Sequence, residues 1–225
     1  MSGIKLVVFD IAGTIIEDHG DVVRAFAKAL VENGIPFVED ELEKWKGASK
    51  REVIRHFVMQ SDPKGEVEQT VEASYGSFRA ELERGYSEKL VPVGGAVETF
   101  RWCRDRGILL ATTTGFYREI SDLILNQTGW REYFAANLSS SDVREGRPAP
   151  YMIFRAIEAS GVKSVKEVIN VGDTPLDLQA GANAGVAGAV GVLTGSHGRE
   201  SLEREAHTHI INSVAELPGL IAREF

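Results

Sequence analysis

Ile4-Lys5-Leu6-Val7-Val8-Phe9-Asp10-Ile11-Ala12-Gly13-Thr14 is the stretch on which the fold turns. Its apolar run has the length of a buried strand and ends abruptly in an acid. It is too short for the apolar part of a signal peptide, so it reads as a strand rather than a targeting segment. Asp10 closes the strand, and Gly13-Thr14 lets the backbone turn sharply away. A buried strand that delivers a carboxylate at its carboxyl end is how open α/β sheets build a site.

The same signal recurs downstream. From Val91 onward, strand-like and helix-like segments alternate. Ile108–Thr112 reads as a strand after a helix ending at Arg106-Gly107. Val168–Val171 is a strand followed by a helix through Ala180, and Val186–Val192 and His209–Ile211 complete the set. Strands alternating with helices predict βαβ units and a doubly wound parallel α/β sheet. Residues 16–90 differ. Val22, Val23, Phe26, Leu30 and Val31 recur at helical spacing, closed by Asn33-Gly34. Leu42 and Trp45 fall on a short helix ending at Gly47, and Val53, Ile54, Phe57 and Val58 on a third. A long polar helix over 65–87 is expected to break at Gly76. The expected organisation is a core of residues 1–15 and 91–225, with 16–90 as an inserted helical cap over the carboxyl ends of the strands.

Composition is ordinary for a soluble globular protein: 225 residues, 43% hydrophobic and 26% charged. No apolar run approaches the roughly 20 residues that span a bilayer, so no membrane partner is expected. The formal charge of −8 argues against nucleic acid. A single cysteine, Cys103, excludes an intramolecular disulfide and points to the cytoplasm.

Four pieces fall at the carboxyl ends of the expected strands. Asp10 is the first. Thr112-Thr113-Thr114-Gly115 is the second, where hydroxyls and N–H groups suit phosphate oxygens. Thr112 is favoured as the first residue beyond its strand, and the roles of Thr113 and Thr114 stay open. Arg147, in Gly146-Arg147-Pro148-Ala149-Pro150, is a cation suited to a phosphoryl oxygen. In Gly172-Asp173-Thr174-Pro175-Leu176-Asp177, two acids four apart suit Mg²⁺. Capping is the ordinary role of Asp and Thr at loop starts, so each piece alone is weak. Together they make sense. A carboxylate attacking an anionic phosphoryl group needs its repulsion removed, which Mg²⁺ and Arg147 would do.

In order and spacing these motifs resemble the haloacid dehalogenase superfamily, over nearly the whole chain. The resemblance implies a Rossmann-like core, a cap, nucleophilic attack by Asp10, a metal set of Asp10, Ala12, Asp173 and Asp177, and a homodimer formed through the cap. Its first motif usually reads Asp-x-Asp, whose second acid protonates the leaving oxygen. Here that position is Ala12, which cannot donate a proton. Asp-x-Ala-Gly-Thr with arginine in the third motif resembles the phosphonoacetaldehyde hydrolase (phosphonatase) branch. There a cap lysine forms a Schiff base with the substrate aldehyde, so that a C–P bond breaks without acid catalysis at an oxygen.

The matching lysine is Lys50, in Lys46-Gly47-Ala48-Ser49-Lys50. Ser49-x-x-Glu52 reads as a capping box, which puts Lys50 in the first turn of the next helix. The positive helix end, with Lys46 and Arg51 nearby, would lower its pKa and favour the neutral amine. Gly47 would permit close approach to substrate. Phosphonatases carry a histidine and a methionine near the lysine and a tyrosine after the Thr-Gly. The matching positions are Val53, Lys46 and Phe116, so the resemblance extends further to the mechanism than to one aldehyde. The expected substrate is a small phosphorylated or phosphonylated molecule. A phosphomonoesterase in which Lys50 only binds charge, and a non-catalytic ligand-binding relative, are the alternatives.

Overall fold

The structure, a computed structural model, describes residues 3–38, 41–42, 45, 48–63 and 65–225. Gly47 and Lys46 lie outside the described residues. In chain order the elements are β1 (Leu6–Phe9), α1 (Asp21–Glu32), α2 (Lys50–Ser61), α3 (Val67–Glu88), α4 (Ala96–Arg104), β2 (Leu109–Thr114), α5 (Arg118–Gln127), β3 (Ala136–Ser139), α6 (Tyr151–Ser160), β4 (Val168–Gly172), α7 (Pro175–Ala184), β5 (Gly188–Val192), α8 (Arg199–Glu203), β6 (His209–Ile211) and α9 (Leu217–Glu224). They divide into two compact units, residues 1–17 with 90–225, and residues 18–89.

The first unit is a parallel sheet of order β3-β2-β1-β4-β5-β6. The chain winds outward through β2 and β3, then crosses back to β4 on the other side of β1. That reversal is the topological switch point, where open α/β sheets bind ligands. Period-2 alternation assigns the faces of β1. Leu6 and Val8 pack with Ile153 and Ala156 of α6 and with Ala180 and Ala184 of α7. Phe9 points oppositely, its ring 5.6 Å from Phe100 of α4, and Phe100 in turn meets Trp130 and Phe134 at 5.2 and 5.1 Å. Each such buried aromatic contributes about 2–3 kcal/mol from burial alone. Cys103 of α4 is buried, and burial pushes its thiol pKa up to about 12.

Four of the five expected strands have shifted ends, and a sixth is added. The strand expected to end at Thr112 continues through Thr114, because Thr113 and Thr114 pair in register with Leu138 and Ser139. The partner, β3, carries little β-propensity in Ala-Asn-Leu-Ser and leaves no legible pattern in the sequence. The strand expected from Val186 begins at Gly188.

The second unit is helical. Phe26 of α1 stacks on Phe78 of α3 at 4.5 Å, and Lys28 pairs with Glu81 at 2.7 Å. The α2–α3 contact is laced by Arg55–Glu68 at 2.7 Å and by Arg51, which meets Glu72 and lies over the Tyr75 ring. The expected break at Gly76 does not occur: α3 is continuous from Val67 to Glu88. A single glycine costs a helix only about 1 kcal/mol, and the packed face formed by Val71, Tyr75, Phe78 and Leu82 outweighs it. The capping box expected at Ser49 is also absent, since its side chain makes no cap hydrogen bond, although Ser49 is the N-cap and Lys50 opens α2. Among the described residues no helix is long and apolar enough to cross a membrane.

Candidate active site

The register that pairs Phe9 with both Thr112 and Val171 brings the carboxyl ends of β1, β2 and β4 level. Asp10 leaves β1 with its N–H bonded to the Val171 carbonyl at 2.8 Å. The chain then folds back on itself, with Ile15 and Ile16 donating to the Ile11 carbonyl at 2.9 and 3.0 Å and Gly13 to the Ile16 carbonyl at 2.6 Å. Gly13 is required twice here. Its φ of +87° is a left-handed conformation, and a Cβ would stand 2.6 Å from Asp173 Oδ2.

On this frame the structure gathers Asp10, Asp173 and Asp177, all buried, each offering a carboxylate oxygen within 4.8 Å of the others. Arg147, also buried, joins them. Its Nη2 donates to Asp10 Oδ1 at 2.6 Å and to the Thr113 carbonyl at 3.3 Å, and its Nη1 donates to Asp177 Oδ1. Its Nε is buried without a hydrogen-bond partner among the described residues. Three carboxylates against one guanidinium leave two negative charges in a low-dielectric setting. A divalent cation neutralises them, and all-oxygen ligands suit a hard one. The donor set therefore fits a metal.

Asp177 serves two roles at once. Its Oδ2 accepts from the Thr174 N–H at 3.1 Å and the Thr174 hydroxyl at 2.6 Å, closing a capping box at the start of α7, while its Oδ1 meets Arg147. Asp177 thus caps α7 and at the same time joins the acid cluster through Arg147. Asp173 is held differently. Its Oδ2 accepts from the Ser196 N–H at 2.9 Å and hydroxyl at 3.3 Å, and Thr14 reaches its Oδ1 at 3.4 Å. Sequence reading misses Ser196 and the side-chain role of Thr14. The available signal is Thr194-Gly195-Ser196, one residue beyond the end of β5 and at the same end of the sheet.

The threonine run separates. Thr112 is fully buried inside β2, and its hydroxyl donates to Asn137 Oδ1 at 2.6 Å, an oxygen shared with the Ser121 hydroxyl at 2.6 Å. The preference for Thr112 as the phosphate-facing residue is corrected on this ground: it lies within the strand, and its hydroxyl is committed to the core. Thr113 meets Arg147 through its carbonyl, and the Thr114 hydroxyl accepts from the Phe116 N–H at 3.1 Å. Gly115 sits in the turn before α5, its carbonyl accepting from Ser140 at 3.3 Å. Ala12 bridges to Ile16, and with a methyl side chain it could serve a cation only through its main-chain carbonyl.

Lys50 belongs to the second unit. It is buried at the first position of α2, with Nζ 5.9 Å from the Phe26 ring centroid. Arg51, expected to crowd Lys50 with positive charge, is instead paired with Glu72.

Residues 4–185 match the family model of the haloacid dehalogenase-like hydrolases. The chain is 33% identical over 205 residues to the bifunctional phosphonoacetaldehyde hydrolase/aminoethylphosphonate transaminase of Clostridioides difficile, covering 86% of this chain but only 32% of that protein. It is 32% identical over 208 residues to phosphonoacetaldehyde hydrolase of Lysinibacillus sphaericus, covering 86% of this chain and 76% of that one. In fold it is similar to the phosphonoacetaldehyde hydrolase-like protein of Oleispira antarctica, with TM-score 0.86 at 23% identity, covering 98% of this chain and 92% of the other.

Proposed function

Because the chain belongs to the haloacid dehalogenase-like hydrolases, where it is phosphonatase-like, we propose that it cleaves a phosphoryl group from a small aldehyde through a phosphoaspartate on Asp10. The observation that carries this reading is the buried Arg147, which bridges Asp10 and Asp177 inside the acid cluster. Mg²⁺ would be held by Asp10, Asp173 and Asp177, with the Ala12 carbonyl as an additional ligand. When bound, it supplies the positive charge that lets a carboxylate approach an anionic phosphoryl group.

The residues then divide the work. Arg147 binds a phosphoryl oxygen and keeps Asp10 aimed. Main-chain N–H groups of the turn at Thr114 and Gly115 bind the other oxygens. Asp10 attacks phosphorus, and the electron pair of the broken bond leaves with carbon. Ala12 can protonate nothing, so that pair must be stabilised elsewhere. Lys50 meets the need if its amine has condensed with the aldehyde, losing water. The pair then flows into the iminium, giving an enamine. Water cleaves the phosphoaspartate to phosphate and free Asp10. Protonation of the enamine and hydrolysis of the imine release the aldehyde product and restore Lys50. The buried place of Lys50 at the first position of α2 supports this role, because it keeps bulk water from an imine formed there. The scheme requires the unit of residues 18–89 to act as a cap on substrate held by the other. Borohydride added with phosphonoacetaldehyde should trap a reduced adduct on Lys50, and its absence during turnover would rule the imine out.

Cleavage of a P–O bond is the second reading. It is favoured by Val53 and Phe116, both buried apolar side chains where phosphonatases carry histidine and tyrosine. A substrate with a good leaving group needs no acid at position 12, and Lys50 then only binds charge. Lys50→Arg separates the two: ester cleavage should fall less than about tenfold, and imine-dependent cleavage by about 10³ or more, since a guanidinium does not form the imine.

A further inference from the structure

The segment after β5 closes onto the turn after β1 and onto Asp173 over three successive residues. Thr194 ties it to the turn after β1, its hydroxyl donating to the Gly13 carbonyl at 2.7 Å. Gly195 then passes so close that a Cβ there would lie 1.9 Å from Asp173 Oδ2, and a Cβ on Gly13 would lie 2.9 Å from the Gly195 Cα. Ser196 follows with two donors on that same Oδ2, its N–H at 2.9 Å and its hydroxyl at 3.3 Å, and His197 Nδ1 stands 3.0 Å from the Ser196 oxygen.

A carboxylate only accepts, and a serine hydroxyl carries one hydrogen. With the imidazole in its Nδ1–H form, His197 donates to Ser196 and the Ser196 O–H is turned toward Asp173. We propose that Ser196, backed by His197, is a positioning residue that fixes the rotation of the Asp173 carboxylate for the cation, a role that rests on the Mg²⁺ reading above. A carboxylate whose rotation is fixed in advance loses less freedom when a metal binds, and residues standing behind metal ligands typically change affinity about 10–100-fold.

Isothermal titration of the metal-free full chain with MgCl₂ tests this directly. Ser196→Ala should weaken Mg²⁺ binding by about tenfold, and Ser196→Thr, which keeps the hydroxyl, should recover it to within about threefold. The Mg²⁺ concentration for half-maximal phosphate release should rise with the binding constant, while kcat at saturating Mg²⁺ stays within about threefold; a merely structural defect would lower kcat as well. Ser196→Cys, nearly isosteric but a weak donor, should bind as poorly as Ser196→Ala and gives the same reading should the alanine variant fold badly. Binding by either variant within about twofold of the wild type overturns the role of Ser196. A wild-type chain that takes up no Mg²⁺ overturns the metal reading instead, and the two failures are distinct.

Discussion

Asp10 and Ala12 sit two residues apart, and together they set the chemical problem. Asp10 is aimed by its backbone bond to Val171 and by Arg147, whereas Ala12 offers no proton to a leaving group. Asp10→Asn keeps the shape and a hydrogen-bond acceptor but removes the proposed nucleophile. Phosphate release should fall by at least about 10³, with no loss in melting temperature, because one of three crowded carboxylates is neutralised. An Asp10→Asn variant that turns over as fast as wild type would end both catalytic readings. Arg147 is the second residue of consequence. The sequence marked it as a cation that would offset charge beside Asp10, and the structure adds its contact with Asp177, so that it joins two acids far apart along the chain.

At the level of elements, β3 and the turn after it show how a weak sequence signal becomes an ordered structure. Its four residues have little strand propensity, yet Asn137 is held through its side chain by Thr112, Ser121 and Asp122, and through its carbonyl by Arg118. The strand is finished by a capping box in which Asp142 Oδ2 accepts from the Ser139 N–H at 2.6 Å and hydroxyl at 2.7 Å, with Arg118 as a further partner. Burial by itself would raise the Asp142 pKa, but the donors from Arg118 and Ser139 outweigh it and the net shift is downward. A depressed folded-state pKa means stability that is full above the unfolded value of about 3.9 and is lost as pH falls through the folded one. Asp142→Asn should therefore cost about 1–2 kcal/mol at pH 7. In urea titrations that difference should shrink below about pH 4. A difference that is unchanged at about pH 3 would mean that the charge of Asp142 plays no part.

Across the whole molecule, the path of the chain makes the second unit separable. Glu17 N–H bonds to the Val91 carbonyl at 2.8 Å, and Ile16 bridges antiparallel to Pro92. The segment of residues 18–89 therefore leaves and re-enters the core at adjacent points, as an insertion into a loop does. Joining Glu17 to Leu90 with a short Gly-Ser linker should leave a folded core that still binds Mg²⁺, with an affinity within about tenfold of the full chain, while turnover of phosphonoaldehydes is lost. Retention of that turnover would remove residues 18–89, and Lys50 with them, from the reaction.

How much of this was legible depends on the range of the interaction concerned. Strand β1, the parallel α/β class and the helical insert were readable because burial imprints a local apolar pattern on the chain. The candidates Asp10, Arg147, Asp173 and Asp177 stood out because charged residues follow strands in that order, and the structure brings the four together. The limits of local pattern show at Thr112, whose place in the sequence suggested a phosphate contact but whose hydroxyl is taken by Asn137 from a strand that periodicity did not reveal. They show at Gly76, where packing across α3 overrides propensity, and at Ser196, an ordinary serine until the fold lays its loop on Asp173. By itself the sequence determined the class of fold and the kinds of group available at the candidate site, since those follow from spacing and residue type. Only the tertiary structure decided which acids share one guanidinium, which threonine is spent on the core and which loop holds Asp173. Those are contacts between residues distant in the chain, set by strand order and register, which no local pattern encodes.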